Sequence, residues 1–221
     1  MQFETKDNFK MYTNGAIVHV SATIGHRVTI GYCAQIHDGA KVGDGATVGD
    51  GALIGDGALI GDRATIGYGA KVGDGAKVGD KAAVGDRATI GRWATIGRWA
   101  TIGDKAEVDD KAEVGDGAGV GGGALIGYWA TIGDGATVGD GARVGDRAVV
   151  RAGSKFHFDL GFADGYRKTL CSINGKAFIS AGCRWFSLAD ALQHWSARDD
   201  RKLTVLLIQS SVKIARHFNL T

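Results

Sequence analysis

Residues 40–63 read AKVGDG, ATVGDG, ALIGDG and ALIGDR, four six-residue units that share one pattern. The same register runs without insertion or deletion from Ala16 to Gly153, which gives 138 residues or 23 units. The first position is Ala in every unit except Val28, and the third position is always Val or Ile. The fourth position is Gly in 19 units and the fifth is Asp in 14. So strict a period predicts a repeat architecture.

Each unit predicts a short strand followed by a tight turn. Positions one and three alternate with position two, as in a strand with one buried face. The Gly-Asp-Gly sequence that follows suits a corner, because Gly and Asp tolerate the left-handed backbone of tight turns. One unit cannot bury its apolar side alone, so the units must stack into a solenoid with a core of Val and Ile.

The repeat resembles the hexapeptide-repeat protein family, and the resemblance covers 138 of the 221 residues. It implies an all-β fold, a left-handed parallel β-helix in which three units form one triangular coil. The 23 units then make about eight coils. Residues 1–15 become an N-terminal cap, residues 16–153 the β-helix, and residues 154–221 a small α+β C-terminal module.

With three units per coil, residues eighteen apart stack, and the outward side chains form three columns. Two columns contain Lys, Glu and Leu and nearly copy each other coil by coil. The third column, the threonine face, has no charge and nothing larger than Thr; it contains Thr29, Thr47, Thr65, Ala83, Thr101, Gly119 and Thr137. We predict that this face packs against the C-terminal segment or against sister subunits of a homo-oligomer, for which the resemblance favours a trimer. A solvated face and an ice-binding surface are the alternatives.

The largest side chains outside the core fall at the predicted corners. Arg92-Trp93 and Arg98-Trp99 lie at adjacent corners of one coil, and Tyr128-Trp129 shares the edge of Arg92-Trp93 two coils on. Exposed Trp and Arg are enriched at binding hot spots. These six residues, with Arg184 and Trp185 of the tail, are therefore candidate contact residues. The structural alternative is that the aromatic rings pack under the C-terminal segment or a neighbouring subunit.

A possible enzymatic site rests on one histidine. The stretch from Thr23 to Cys33 contains Ile-Gly-His at 24–26 and resembles the family's IGH-containing segment. The resemblance implies acyltransferases that use coenzyme A and a catalytic His in a groove between subunits, so His26 is the candidate and acyl-CoA its cofactor. The related γ-class carbonic anhydrases have a zinc-binding His five residues further on, where this chain has Gly31, so no metal site is predicted. No inserted loop interrupts the coils to build a substrate pocket, so the simpler interpretation makes His26 a corner residue.

Composition and charge exclude several classes of protein. The chain has 37 Gly but no Pro, which excludes collagen, and its apolar runs are too short to span a bilayer. Three Cys, an odd number, fit a reducing compartment and predict a cytoplasmic protein. The formal net charge is +2, but residues 154–221 carry +5 and residues 16–153 carry −3. The basic tail suits a nucleic acid or a phosphorylated ligand. The alternatives are charge complementarity with the acidic β-helix and an ordinary solvated surface.

The tail has the signals of a small mixed module. Residues 156–160 alternate as in a strand, and Asn174-Gly175 between two apolar runs predicts a hairpin. Ser187 and Asp190 form a capping-box pattern that opens a helix through about Trp195. A second helix is predicted from Leu203 to about Phe218, with a stripe at Leu203, Leu207, Ile214 and Phe218. The segment 181–195 also resembles the tails of uncharacterised repeat proteins in enterobacteria and their prophages.

Three functions remain open at this point. The first is a non-catalytic, oligomeric scaffold or binding protein that contacts a protein partner through the C-terminal module and the Trp/Arg corners, with no cofactor and no membrane contact. The second is an acyl-CoA-dependent acyltransferase with His26 at a subunit groove. The third is a phage-related protein that sequesters a host ligand or blocks a host protein.

Overall fold

The structure is a computed structural model that describes residues 3–6, 8–151, 154–163, 166–173, 176–181, 184–196 and 202–217. At its N-terminus, β1 (Phe3–Lys6) and β2 (Phe9–Tyr12) pair antiparallel. The repeat then contributes one short strand per unit: β3 (Ile17–His19), β4 (Thr23–Ile24), β5 (Thr29–Ile30), β6 (Gln35–Ile36), β7 (Lys41–Val42), β8 (Thr47–Val48), β9 (Leu53–Ile54), β10 (Leu59–Ile60), β11 (Thr65–Ile66), β12 (Lys71–Val72), β13 (Lys77–Val78), β14 (Ala83–Val84), β15 (Thr89–Ile90), β16 (Thr95–Ile96), β17 (Thr101–Ile102), β18 (Glu107–Val108), β19 (Glu113–Val114), β20 (Gly119–Val120), β21 (Leu125–Ile126), β22 (Thr131–Ile132), β23 (Thr137–Val138), β24 (Arg143–Val144) and β25 (Val149–Val150).

Every third strand of the repeat belongs to the same parallel sheet, so the strands form three flat faces. Face I runs from β3 to β24, face II from β4 to β25, and face III from β5 to β23. Partners in each sheet are eighteen residues apart, as where Thr65 pairs with Ala83. The solenoid therefore has seven complete coils and two sides of the next, and the predicted left-handed parallel β-helix is confirmed.

The core consists of the first and third positions of the units. Ala52, Ile54 and Ile66 are each 0% exposed, and nearly all other residues at these positions are buried as well. The partly buried exceptions lie near the two ends of the prism: Ala22, Ile24, Val28 and Ala142. The small Ala at the first position leaves room for Val or Ile at the third. Because the coils stack in identical register, each buried side chain packs against a similar side chain in the coil above and in the coil below. The backbone is bonded between coils as well, for example from Thr65 N–H to Ala82 C=O at 2.9 Å. A chain without Pro keeps all of these donors.

The structure specifies the corner geometry, which the sequence prediction left open between Gly and Asp. The left-handed residue is the sixth position of the unit, not the Asp at the fifth, and it includes Trp93 (φ 60°) and Arg63 (φ 57°) as well as glycines. The fourth-position Gly is required for another reason. A Cβ on Gly61 would lie 2.5 Å from the Asp80 backbone N in the next coil, so only Gly lets the coils approach this closely.

The corner aspartates tie successive coils together. At thirteen corners, the Asp Oδ1 accepts the backbone N–H of the residue eighteen positions earlier, as Asp62 accepts from Asp44 at 2.8 Å and Asp86 from Tyr68 at 2.8 Å. This N–H points along the edge towards the next coil, where no backbone carbonyl reaches it. The aspartate ladder satisfies a donor between coils, which the sequence prediction of a local turn role did not include.

The N-terminal hairpin closes the first coil. β2 continues the sheet of face I by pairing antiparallel with β3. Phe9 stacks edge-on against the His19 ring, with centroids 4.9 Å apart, and Tyr12 packs against the core. Met11, in the same strand, is 44% exposed and does not contribute to the closure.

The C-terminal module is a four-stranded antiparallel sheet with two helices. Its elements are β26 (Ser154–Ala163), β27 (Tyr166–Ile173), β28 (Lys176–Ala181), β29 (Arg184–Ser187), α1 (Leu188–Ser196) and α2 (Lys202–His217). β27 and β28 pair as the predicted hairpin, whose turn Asn174-Gly175 lies outside the described residues. β26 contacts β23 and β24 at the end of the prism. Strand β29 was not predicted.

The helices of the module follow their sequence signals closely. Ser187 Oγ accepts the Asp190 N–H at 3.1 Å, which caps α1 as predicted. Among the described side chains of α2, Thr204, Ile208, Ser211 and Ala215 are buried. Leu207 of the predicted stripe is only partly buried, and the other three stripe residues lie outside the described side chains. Neither α1 nor α2, within the part of the chain that is described, has the length and apolarity to cross a membrane.

Candidate functional site

The corners of the coils form three straight edges, and edge I, between faces I and II, contains most of the unusual side chains. Successive corners along it are Arg92-Trp93, Asp110-Lys111, Tyr128-Trp129 and Asp146-Arg147. We call these eight residues the aromatic strip. The eighteen-residue period places each pair directly above the one before it, so the strip follows from the same register that builds the core.

Trp93 lies flat on the edge. A Cβ on Gly75, one coil earlier, would lie 2.6 Å from ring atoms Cε3 and Cζ3 and 2.9 Å from Cδ2. Near-equal distances to three adjacent ring atoms mean that the Cβ would meet the face of the ring. One ring face therefore covers Gly75, while Trp93 remains 65% exposed. The alternative that this ring packs under the C-terminal segment was wrong for the described chain.

Trp129 lies on the same edge two coils further on and is 50% exposed. The Lys111 Nζ lies 5.0 Å from the centre of its ring, and Tyr128 stands edge-on to it with centroids 5.8 Å apart. The Tyr128 hydroxyl oxygen accepts hydrogen bonds from the Trp129 side chain and from Lys111, and these bonds lower its pKa. The second indole of the strip therefore has a cation and a phenol as close neighbours.

An ion pair fixes the backbone between the two indoles. Asp110 Oδ1 accepts the Arg92 backbone N–H at 2.6 Å, and its Oδ2 lies 3.6 Å from Arg92 Nε. Tyr128 stands where the next coil would supply an Asp to accept the Asp110 N–H. Asp109 Oδ1 accepts that N–H instead, at 2.8 Å. Asp109, which replaces the usual Gly at the fourth position, thus supplies the acceptor that Tyr128 in the next coil cannot provide.

A shallow groove of about 340 Å³ lies on face I directly beside the strip. Its outward side chains are Thr89, Glu107, Leu125 and Arg143, and Asp110 and Asp146 border it at the edge. Groove and strip together carry four basic and four acidic side chains. The basic ones are Arg92, Lys111, Arg143 and Arg147; the acidic ones are Glu107, Asp109, Asp110 and Asp146. The combined surface has no net charge.

Edge II, between faces II and III, has a single indole. Trp99 is 62% exposed and its backbone is in the left-handed region. The Lys81 Nζ lies 4.0 Å from the centre of its ring. Arg98 Nη2 lies 3.1 Å from Asp116 Oδ2. Hydrogen bonds from the Arg98 backbone and then from its side chain lower the pKa of Asp116. A second shallow groove of about 460 Å³ lies beside this edge on face II, but two coils above Trp99 the corner is Gly135.

The threonine face is uncovered in the single chain. It is face III, and its five threonines are exposed: Thr29, Thr47, Thr65, Thr101 and Thr137. Ala83 and Gly119 on the same face are partly buried. The described part of the C-terminal module reaches this face only at its last strand, where β26 contacts β23, so the predicted packing of the whole face against the C-terminal segment is not found in the described chain.

Among the three histidines of the repeat, His26 lies apart from His19 and His37, which both follow strand residues of face I. His26 lies at an edge II corner, and Asp44 accepts its backbone N–H at 2.7 Å, but among the described residues no side chain bonds its imidazole. His19 is bonded to Ser21 Oγ at 2.7 Å, and Ser21 also contacts Asp38. That trio links the first coil to the second. The described chain has no cluster of three or more His, Cys, Asp or Glu side chains that could hold a metal ion.

Some functional candidates were missed by the sequence prediction, and one pair remains outside the description. Lys81 and Lys111 sit against indole rings, yet they look like ordinary repeat residues until the eighteen-residue stacking is applied to the corners. Asp109 stands at a fourth position, where most units have Gly, and the repeat pattern alone does not identify it as a hydrogen-bond acceptor. Arg184 and Trp185 belong to β29, but their side chains lie outside the described part of the structure.

Comparison with known proteins supports the fold. A family model described as the GMPPB C-terminal domain matches residues 24–116, less than half of the chain and none of the tail. This match therefore gives no support to the resemblance of residues 181–195 to prophage proteins. No curated protein matched the sequence.

Solved structures with similar architecture include LpxA from Acinetobacter baumannii, at 16% identity over 66% of this chain and 69% of that one, with a TM-score of 0.52. LpxA of Bacteroides fragilis, a UDP-N-acetylglucosamine acyltransferase, matches at 19% identity over 65% and 69% of the two chains, with a TM-score of 0.44. The acetyltransferase domain of PglB from Neisseria gonorrhoeae matches at 22% over 59% and 54%, with a TM-score of 0.38. At these identities the likeness is one of fold: the chain shares the β-solenoid of LpxA.

Proposed function

We propose that this protein is a binding scaffold whose β-helix presents a ligand site along edge I. The observation that carries the proposal is the exposure of Trp93 and Trp129, at 65% and 50%, on one straight edge. A large apolar ring left in water costs free energy that contact with a ligand recovers, and Trp and Arg dominate binding hot spots. The adjoining groove and the Arg92–Asp110 pair add polar contacts beside the rings.

Thermal shift measurements test the proposal, because a ligand that binds the folded chain raises its Tm. The panel contains oligosaccharides, oligodeoxythymidine, peptides and acyl-CoA donors, each against the wild type, the double variant Trp93→Gly/Trp129→Gly, and Trp99→Gly. Gly suits these left-handed positions and is the residue of the repeat itself at Gly57 and Gly75.

We expect at least one ligand class to stabilise the wild type and Trp99→Gly but not the double variant. A panel with no such class, or one in which the double variant responds like the wild type, contradicts a binding role for edge I.

The threonine face supports a second element of the proposal, a homo-oligomer. An uncharged face with no side chain larger than Thr allows close approach of another subunit, and the exposure of Thr47, Thr65 and Thr101 leaves that surface available. Thr65→Arg should then convert the assembly into monomers in analytical ultracentrifugation, while Lys71→Glu on face I should not. A wild type that sediments as a monomer at every concentration contradicts this element.

Acyl transfer is the second candidate function, and the fold shared with LpxA is the observation that favours it. His26 would act as general base towards an acyl-CoA donor. The two grooves described above are lined by residues between 89 and 146, several coils from His26. A coenzyme A site next to His26 therefore needs a neighbouring subunit to form its other wall. An acyl-CoA that raises the Tm of the wild type but not of His26→Asn supports this function. Equal responses, or none to any donor, count against it.

A further inference from the structure

Trp93 is a flat platform rather than an inserted wedge, and Trp129 leaves half of its surface exposed on the same edge. Gly75 lets the Trp93 ring lie against the edge, and the outward ring face accounts for its 65% exposure. The electron-rich face of an indole attracts the polarised C–H groups of a pyranose ring, which presents such groups together on one face. Flat exposed rings therefore suit stacking with sugars.

The spacing of the rings is set by the solenoid. Trp93 and Trp129 are two coils apart on one edge, and about 4.8 Å per coil puts them roughly 10 Å apart. In an extended β-1,4-linked glycan, successive sugars turn over, so the same sugar face recurs at every second residue. The length of that disaccharide is close to two coil spacings. An α-1,4-linked chain curves and leaves such a straight row after a few sugars.

The charge of the surface selects against the other ligands that stack on aromatic rings. A single-stranded nucleic acid needs a positive groove along its backbone, but strip and groove together carry four basic and four acidic side chains. Paired opposite charges such as Arg92 and Asp110 present donors and acceptors side by side. Hydroxyl groups use both, and a neutral ligand suffers no repulsion from either.

Resting on the binding function proposed above, we propose that the aromatic strip binds an extended, uncharged β-1,4-linked oligosaccharide. Trp93 and Trp129 stack on every second sugar, Lys111 lies between them, and the groove residues Glu107 and Arg143 bond to hydroxyls at one side. Trp99 does not take part, because edge II has Gly135 where a second platform would be needed.

Isothermal titration of the full chain tests this inference with three hexasaccharides. Cellohexaose and chitohexaose are β-1,4-linked, and maltohexaose is the α-1,4-linked control with the same sugar as cellohexaose. We expect a β-1,4-linked hexamer to bind the wild type and Trp99→Gly equally. Trp93→Gly and Trp129→Gly should each weaken binding about fivefold to tenfold, the range expected for one lost ring contact. Maltohexaose should bind at least about tenfold more weakly.

Three results overturn the inference: no binding of either β-1,4-linked hexamer, equal binding of maltohexaose, or an equal loss in Trp99→Gly. These outcomes separate it from the wider proposal. If oligodeoxythymidine or a peptide binds and the loss is confined to Trp93→Gly and Trp129→Gly, the glycan inference fails while edge I remains a binding site. If the same two variants instead turn an oligomer into monomers, the strip is a subunit interface and the glycan inference fails.

Discussion

The ring of Trp93 lies face down on Gly75, the residue one coil before it on the same edge. Gly75 has φ +65°, and so has its neighbour below, Gly57, with φ +63°. A Cβ on Gly57 meets nothing within 4 Å, whereas one on Gly75 meets the ring at 2.6 Å. Both glycines have the left-handed backbone conformation, and they differ in that only Gly75 lies under the ring of Trp93.

That difference yields the first prediction. Gly57→Ala should lower the free energy of unfolding by about 1–2 kcal/mol, the cost of a left-handed Ala. Gly75→Ala should cost more, since it also lifts Trp93 from its seat, and it should change the indole fluorescence. Urea unfolding of both variants measures this. In a Trp93→Gly background the excess cost should vanish; if it persists, the ring is not what Gly75 accommodates.

A second pair of glycines separates coil packing from backbone freedom. Gly61 and Gly119 both have ordinary φ values, but a Cβ on Gly61 would lie 2.5 Å from the Asp80 backbone N, while one on Gly119 would approach only Thr137 Cγ2, at 3.9 Å. Gly119→Ala should therefore stabilise the chain by about 0.4–1 kcal/mol through the unfolded state. Gly61→Ala should be strongly destabilising or fail to fold. Thermal melts compare the two, and equal effects would contradict the close approach of coils at Gly61.

The repeat, together with the resemblance to the hexapeptide-repeat family, let the sequence predict the fold, the register and the edges that Trp93, Trp99 and Trp129 occupy. These depend only on the period of six and on three units per coil. The sequence did not predict three contacts at the corners. These are the packing of the Trp93 ring on Gly75, the hydrogen bonds that Asp Oδ1 accepts from the preceding coil, and the hydrogen bond from the Asp110 N–H to Asp109. They depend on the distance between backbones in neighbouring coils, which residue spacing does not contain. In the tail, where no repeat constrains the pairing, β29 was missed, and the buried side chains Thr204 and Ser211 of α2 were not part of the predicted stripe.

The aspartate ladder predicts an acid-sensitive contact at edge II. Hydrogen bonds from Arg98 lower the pKa of Asp116 below its usual value of about 3.9, so the folded state holds this proton less tightly than the unfolded one. The contact therefore stabilises the chain above that usual pKa and is lost as the pH falls through the lowered value. Asp116→Asn should reduce the Tm near pH 7 and lose its effect at strongly acidic pH.

A titration of the side chain checks the cause of that shift. Carbon-13 NMR of Asp116 should give a pKa below the usual value in the wild type and a higher one in Arg98→Gln. The backbone N–H of residue 98 still bonds to Asp116 in that variant, so the pKa should return only part of the way. An unchanged pKa in Arg98→Gln would assign the shift to the backbone bond alone.

The described cysteines should differ sharply in reactivity. Cys33 is exposed at a corner of edge III, while Cys171 is 0% exposed in β27 and its burial raises the pKa of the thiol. Only a thiolate reacts with a disulfide reagent, so Cys171 is protected both by access and by protonation. In a Cys183→Ser background, the native chain should release one equivalent of thionitrobenzoate rapidly and a second only on unfolding. Adding Cys33→Ser should abolish the rapid phase. A rapid phase that survives would mean that the sheet of the C-terminal module opens to solvent under native conditions.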